Sequence, residues 1–210
     1  MRALKLALTA IVVILVAVLG TLRVTGLEPP WLDPNSPEFV KAARTNRPGL
    51  WLAGEVVREP VTNWDFINQV NDPVTKNTIL LETRTWYGIP HSVRINGTPR
   101  GDKLYIGGTE QDERLEKGFP YSKAWWSNLM RDPRARLKIG GKLYEVNVIL
   151  MADRAEVAQL LGRNPVSKAV GPDGQERVRS VAHYWRVYQR NVTEYGDGTP
   201  PPKPAAPPAQ

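Results

Sequence analysis

Short segments of alternating apolar and polar residues, separated by glycine turns, occupy most of residues 78–190. The clearest is Arg134 to Ile139, in which every second residue is apolar. Gly140-Gly141 follows and predicts a two-residue hairpin turn, after which Lys142 to Leu150 resumes the alternation. A period of two indicates a strand, because successive side chains of a strand point to opposite faces. The pattern predicts a mainly antiparallel β domain.

Five further strands are predicted, at Trp51 to Val57, Thr78 to Trp86, His91 to Ile95, Lys103 to Ile106 and Ser180 to Arg190. The breaks between them coincide with residues that favour turns. Predicted turns are Gly88-Ile89-Pro90, Asn96-Gly97 and Arg100-Gly101-Asp102, and a glycine loop is predicted at Gly107-Gly108-Thr109. Six or seven strands of this kind indicate a closed antiparallel barrel with inserted helices.

Capping residues predict the inserted helices. Ser122 is a candidate cap for a helix over Lys123 to Arg131, and Asp153 with Glu156 has capping-box spacing for a helix that ends at Leu161. Ser36 predicts a short helix over 36–46, whereas 163–178 is expected to be a polar loop. The large aromatic residues of these segments are expected to pack in the core: Trp64, Trp125 and Trp126. A solvated strand face is expected for Arg134, Arg136 and Lys138.

An apolar run from Leu6 to Leu22 follows Arg2 and Lys5 and is about as long as one membrane crossing. An uncleaved signal anchor is the favoured interpretation, and a cleaved signal peptide is the alternative, with a weak site at Val18-Leu19-Gly20. The basic N-terminus is expected in the cytoplasm. The sequence thus predicts a single-pass protein of the inner membrane with an extracytoplasmic domain.

Four regions are expected: a membrane anchor at 1–27, a linker with a short helix at 28–49, a split β-barrel at 50–192, and a disordered tail at 193–210. The tail is rich in proline and alanine and cannot form a core. The predicted fold class is mainly β with inserted helices (α+β): a split antiparallel β-barrel preceded by one transmembrane helix.

Composition excludes several kinds of site. The chain has no cysteine, so thiol catalysis, thiolate metal sites and disulfides are absent, and two histidines are too few for a histidine-rich metal site. The formal charge of +7 includes the basic residues that flank the apolar run. No dense basic stripe or recognisable module points to nucleic acid. We therefore expect neither a metal site nor nucleic-acid binding.

The order of motifs after Leu104 resembles the split β-barrel family of pyridoxamine 5′-phosphate oxidase-like and deazaflavin-dependent nitroreductase-like proteins. In that family a strand and a glycine loop lead to a helix of the form A-W-x-x-N-L-x-x-x-P and then to a strand with a G-G hairpin. The matching residues are Ala124, Trp125, Asn128, Leu129, Pro133, Arg136 and Gly140-Gly141. Upstream, TRTWYGIPHSVRI resembles the family's T-x-x-G-x-P strand pair. The resemblance runs from about Leu50 to Arg190.

The resemblance implies FMN, or a deazaflavin in one branch, in a groove made at a homodimer interface. It puts Arg84, Thr85 and Trp86 on the strand beside the ring, and on the partner strand His91, Ser92 and Arg94. It puts near the phosphate Gly107, Gly108, Thr109 and Lys123. The implied activity is hydride or electron transfer to a small-molecule redox substrate; the resemblance assigns no catalytic residue.

A different kind of function remains open beside this one. The acidic stretch that begins at Glu110 departs from the family's phosphate loop, because carboxylates repel phosphate. It favours a non-enzymatic envelope protein that binds haem, through His91 or His183, or a protein partner. A scaffold subunit that docks through its proline-rich tail is a third possibility.

Overall fold

A computed structural model describes residues 2–31, 37, 48–70, 78–111 and 113–190. The helix expected at 36–46 and the tail expected at 193–210 lie outside the described residues, apart from Pro37. The helices are α1 (Arg2–Thr25), α2 (Glu113–Lys117), α3 (Ala124–Arg131) and α4 (Arg154–Leu161), with a 3₁₀ helix at Asp65–Asn68. The strands are β1 (Glu55–Val56), β2 (Thr78–Thr83), β3 (His91–Arg100), β4 (Lys103–Gln111), β5 (Arg134–Ile139), β6 (Lys142–Leu150), β7 (Val166–Val170) and β8 (Glu176–Gln189).

Six antiparallel strands form a closed barrel in the order β6-β5-β2-β3-β4-β8, and β8 pairs back onto β6. Strand β7 extends the sheet beside β8, and the short β1 runs parallel to β6. This confirms the predicted mainly β barrel. The Gly140-Gly141 hairpin is also confirmed, with positive φ at both glycines, as a two-residue turn between twisted strands requires.

The barrel interior is filled by alternate residues of the strands and by the aromatic face of α3. Trp126 and Trp185 are completely buried at its centre. Trp64 and Trp125 are buried in the same core, as the sequence predicts. A second, smaller cluster lies outside β2, where Leu80 packs against Leu52 and Leu143. Strand β2 is therefore buried on both faces. The alternation of its sequence predicts a strand but does not show that both faces are buried.

Two predicted turns are wrong, because strand pairing continues through them. Asn96-Gly97 lies inside β3, where Asn96 pairs with Thr78 and Gly97 pairs with Ile106. The expected glycine loop at Gly107-Gly108-Thr109 is part of β4 and pairs with β8. Its glycines are needed for packing, since a Cβ at Gly107 would lie 2.6 Å from the ring of Tyr184.

Other local expectations need smaller corrections. The N-cap of α3 is Lys123 rather than Ser122, and no side-chain hydrogen bond caps it. The expected strand at 51–57 is reduced to β1, and the loop expected at 163–178 contains β7 and the start of β8. The cap at Asp153 is confirmed, because its carboxylate accepts the N–H of Ala155 at 2.7 Å.

Helix α1 is long and apolar enough to cross a membrane, and none of it is buried; a signal sequence has the same properties. The chain that follows it is attached to the barrel rather than forming a free spacer. Leu27 N–H donates to Trp51 O at 2.9 Å, and Leu50 N–H donates to Leu27 O at 2.7 Å. Glu28 forms an ion pair with Lys138 of β5. The end of α1 is thus held directly against the barrel wall.

Candidate functional site

A concave site that we call the arginine cleft lies where β2 ends and β5 begins. Its volume is about 410 Å³, within the range of small-molecule sites. Three carboxylates in its wall face twice as many guanidinium groups; the charged lining residues are Arg23, Arg84, Arg131, Arg134, Arg136 and Arg190 with Glu82, Asp132 and Glu145. The lining therefore carries a surplus of positive charge.

The most buried ion pair of the cleft joins neighbouring strands. Arg136 of β5 donates to both carboxylate oxygens of Glu82 of β2, at 2.9 and 2.6 Å. Glu82 also accepts the N–H of Leu52 at 2.6 Å. These contacts overturn the expectation of a solvated face at Arg134, Arg136 and Lys138, because Arg136 and Lys138 are both mostly buried and paired. Glu82 is therefore committed to structure and does not neutralise the remaining arginines.

Asp132 organises the rim of the cleft. Its carboxylate accepts two hydrogen bonds from the guanidinium of Arg134, each at 2.9 Å, and lies 3.8 Å from Arg84. Burial alone would raise the pKa of Asp132, but hydrogen bonds from the Arg134 side chain and backbone and the charges of Arg134 and Arg84 hold it below its ordinary value. Asp132 therefore stays ionised and fixes the two guanidinium groups at the entrance.

Arg190 belongs to a group of three guanidinium groups and two carboxylates. Burial and the like charges of Arg84 and Arg134 lower its pKa, against the opposing charges of Glu145 and Asp132. An arginine still remains protonated at neutral pH. Its charge, together with the two like charges around it, therefore makes the cleft a place where an added anion is favoured.

Aromatic residues stand beside the arginines on the turn after β2. Trp86 is 80% exposed and meets Tyr87 edge to face. Tyr87 Oη and His91 Nε2 share a hydrogen bond of 2.5 Å, and burial lowers the pKa of His91, so the imidazole is neutral at pH 7. Thr85 Oγ1 donates to Ile89 O at 2.5 Å and closes the turn. Thr85 is thus held by its own turn, whereas Trp86 is open to a ligand or a surface.

The structure divides the site residues that the sequence suggests. Arg84, Thr85 and Trp86 line the arginine cleft, and His91 is joined to it through Tyr87. Ser92 and Arg94 do not line it: Ser92 is completely buried on the outer side of β3, and Arg94 is exposed opposite Leu80. The remaining four residues, Gly107, Gly108, Thr109 and Lys123, lie at the other end of α3, and the helix is about 12 Å long.

That other end is a buried polar cluster rather than an anion site. Glu110, which is 4% exposed, accepts a hydrogen bond from His183 Nε2 at 3.1 Å. Lys123 lies over the ring of Trp126, 4.9 Å from its centroid. Burial, then the charge of Arg114, lowers the pKa of Lys123 to about 8, against the opposing charge of Glu110. A phosphate here would face the carboxylate of Glu110 in a site with little water.

The cluster is tightly packed among aromatic rings. Phe119 stacks on His183 at 4.3 Å between centroids, and burial lowers the pKa of His183 although Glu110 opposes the change. The Glu110–His183 contact is therefore a hydrogen bond that a neutral imidazole donates to the carboxylate at pH 7. Within the described part of the chain, the second oxygen of Glu110 and the indole nitrogens of Trp126 and Trp185 have no hydrogen-bond partner.

Two further observations limit the alternatives. A larger groove of about 760 Å³ lies between α4 and the barrel, but Asp153 and Glu156 balance most of its cationic lining, so it favours no particular charge. No group of three or more potential metal ligands occurs among the residues that the structure describes. The arginine cleft is the better candidate for a charged ligand.

Similarity to known proteins is slight. No protein-family model and no curated protein matches the chain. A solved structure that resembles it is described as "Putative Pyridoxamine 5'-phosphate oxidase" from Listeria innocua, with 12% sequence identity and a TM-score of 0.30. The match covers 55% of this chain and 90% of that chain. The likeness is too distant to bear on ligand or activity.

Proposed function

We propose that the chain is a membrane-anchored barrel protein whose arginine cleft binds the phosphate of a flavin or deazaflavin. The observation that carries the proposal is the surplus of guanidinium groups in one concave cleft. Guanidinium forms paired hydrogen bonds to phosphate oxygens, which makes arginine well suited to this ligand. FMN is the first candidate, and α1 is the anchor.

The residues of the cleft suit the phosphate of such a cofactor better than the residues around Lys123 do. The family resemblance puts the phosphate near Lys123. The cleft lies at the C-terminal end of α3, where the helix dipole disfavours an anion, so the arginines must supply the attraction. Arg84 and Arg134 share the carboxylate of Asp132, and Arg190 lies within reach of both of their charges. Trp86, Tyr87 and His91 would then border the ring.

A bound flavin supplies hydride or electron transfer to a small-molecule redox substrate. The chain itself would bind the phosphate, orient the ring and keep His91 neutral beside it. The homodimer implied by the family resemblance remains part of this proposal, since a second copy of the turn that carries Trp86 would enclose the ring.

The haem alternative has less support. Nε2 of His91 is already bonded to Tyr87, and Nε2 of His183 is bonded to Glu110 beneath the ring of Phe119. Either bond would have to break before the nitrogen could bind iron. If the purified protein is colourless, binding to a protein partner without a cofactor becomes the better explanation.

The test is to purify the full chain in detergent from a host that makes FMN and haem, add deazaflavin to a second sample, and record absorption spectra. We expect a flavin or deazaflavin band at near-stoichiometric level. In Arg84→Gln and Arg190→Gln, loss of a charge-assisted hydrogen bond should raise Kd by about tenfold or more. Arg177→Gln is the matched control, because Arg177 pairs with Asp173 away from the cleft. A Soret band, or no chromophore in either sample, would rule out the flavin.

A further inference from the structure

The arginine cleft includes a residue of the membrane helix itself. Arg23 lies in the last turn of α1 and lines the cleft together with Trp51, Arg84 and Arg134. The apolar run ends at Leu22, so in a spanning helix Arg23 is the first residue to reach the headgroups. A cleft that shares Arg23 must therefore open at the level of the headgroups.

The connection between α1 and the barrel leaves little freedom to move the cleft away. Leu27 is hydrogen-bonded to Trp51 and Leu50 on both sides, and Pro29 is buried. Gly26 has a φ of 76°, and a Cβ there would lie 2.8 Å from Trp51 O. The chain therefore turns sharply at the helix end and joins the barrel wall at once, so the barrel stays close to the bilayer.

The rim of the cleft has the composition of a membrane-contacting surface. Trp86 and Tyr87 are 80% and 46% exposed, on a turn beside Arg84. Tryptophan and tyrosine are enriched at membrane–water interfaces, where the ring lies among the headgroups. Arg84 and Arg134, each more than half exposed, supply positive charge at the same rim. Aromatic and cationic groups thus coincide where α1 meets the barrel.

We propose that the rim of the arginine cleft (Arg23, Arg84, Trp86 and Arg134), together with the adjacent Tyr87, binds the phosphates of anionic phospholipids and seats the barrel on the membrane surface. The bilayer's anionic phosphates complement the surplus charge. The inference rests on the anchor part of the proposed function; it does not require the flavin, although both ligands would use Arg84, Arg134 and Trp86. It also gives exposed Trp86 a contact that needs no cofactor.

The absence of cysteine provides a clean test, because a single introduced cysteine is a unique labelling site. The full chain would carry a nitroxide at Tyr87→Cys, with Trp86→Cys as a second site and Val170→Cys as the control. Val170 pairs with Glu176 at the far end of β8, on the order of 40 Å along the strand from Arg190. The protein would be placed in nanodiscs of phosphatidylcholine alone or with phosphatidylglycerol, and accessibility to a water-soluble relaxation agent measured.

We expect labels at 86 and 87 to become protected in discs that contain phosphatidylglycerol, while the label at 170 does not change. Arg23→Gln and Arg134→Gln should each weaken the preference for anionic lipid by about fivefold, and Arg177→Gln should not. Equal accessibility in both kinds of disc would overturn the proposal. So would equal protection by millimolar inorganic phosphate in neutral discs, because a free anion would then be sufficient.

The same samples separate this inference from the proposed function. Intact mass reports whether α1 is retained, and cleavage before Arg23 would remove the anchor and overturn both ideas. If α1 is retained but the labels at 86 and 87 stay accessible, only the lipid contact is overturned. Protected labels in a colourless protein support the lipid contact and count against the flavin.

Discussion

Arg136 and Glu82 form a two-point ion pair between β5 and β2, with N···O distances of 2.9 and 2.6 Å. The side chains are only 16% and 9% exposed. A buried pair of this kind contributes little relative to apolar residues, yet removal of one partner is costly because the other charge is left buried. The pair therefore links the stability of the barrel to the shape of the arginine cleft.

Arg136→Gln should lower the free energy of unfolding by about 3 kcal/mol, because Glu82 would keep only the N–H of Leu52 as a partner. The measurement is urea denaturation of the full chain in detergent. Arg177→Gln removes an arginine whose side chain is 66% exposed and should cost less than about 1 kcal/mol. Equal losses in the two variants would mean that Glu82 is solvated in solution.

Gly108→Ala should destabilise the barrel by about 1–3 kcal/mol through overpacking. An added Cβ would lie 2.9 Å from both Lys123 Nζ and a ring carbon of Trp126. Flavin affinity should not change, because the phosphate is proposed at the arginine cleft. Thr109→Ala is the comparison: if both variants weakened flavin binding, the phosphate would belong here, as the family resemblance implies.

Much of the barrel follows from local patterns in the sequence. The alternation of 134–150 and the two glycines of its hairpin determine β5 and β6, because both signals act within a few residues. The turn predicted at Asn96-Gly97 is wrong for the opposite reason. The turn preference of these residues is local, and strand pairing of Asn96 with Thr78 and of Gly97 with Ile106 outweighs it.

The site was predictable only in part. Arg84, Thr85 and Trp86 are consecutive, so their common location follows from the sequence. Lys123 is separated from them because it lies at the start of α3, and the cleft lies at the end of that helix. The sequence does not show how α3 is oriented relative to the strands. The contributions of Arg23 and Arg190 come from opposite ends of the chain, and the Glu110–His183 bond joins strands 73 residues apart. Only the folded structure brings these groups together.

Lys123 should titrate near pH 8, since burial disfavours its ammonium form. The measurement is NMR of the full chain with ¹³C-labelled lysine, with Lys123→Arg to assign the signal. Glu110→Gln should move the midpoint lower, because the carboxylate is the group that supports the charge. A midpoint near 10.5 in the unaltered chain would mean that Lys123 is solvated rather than held over Trp126.

The pKa values of His91 and His183 lie below the ordinary 6.5 in the folded chain, chiefly through burial. The unfolded chain therefore binds protons first as the pH falls, and stability should be complete above about pH 6.5 and decrease below it. The slope for each histidine is at most about 1.4 kcal/mol per pH unit. Urea denaturation between about pH 7 and 5.5 measures it in a window that avoids Lys123 and Asp132.

His183→Asn should reduce the slope of the unfolding free energy against pH by the contribution of His183. His91→Asn should reduce it by the contribution of His91. The comparison uses the slope and not the stability itself, because His183→Asn also removes the stacking on Phe119 and the hydrogen bond to Glu110. If His183→Asn keeps the full slope, the pKa of His183 is the same in the folded and unfolded chains; if His183→Asn steepens the slope, the folded chain raises that pKa and favours the charged imidazole. Its contact with Glu110 would in that case be an ion pair, and the polar cluster would hold two buried cations around one carboxylate.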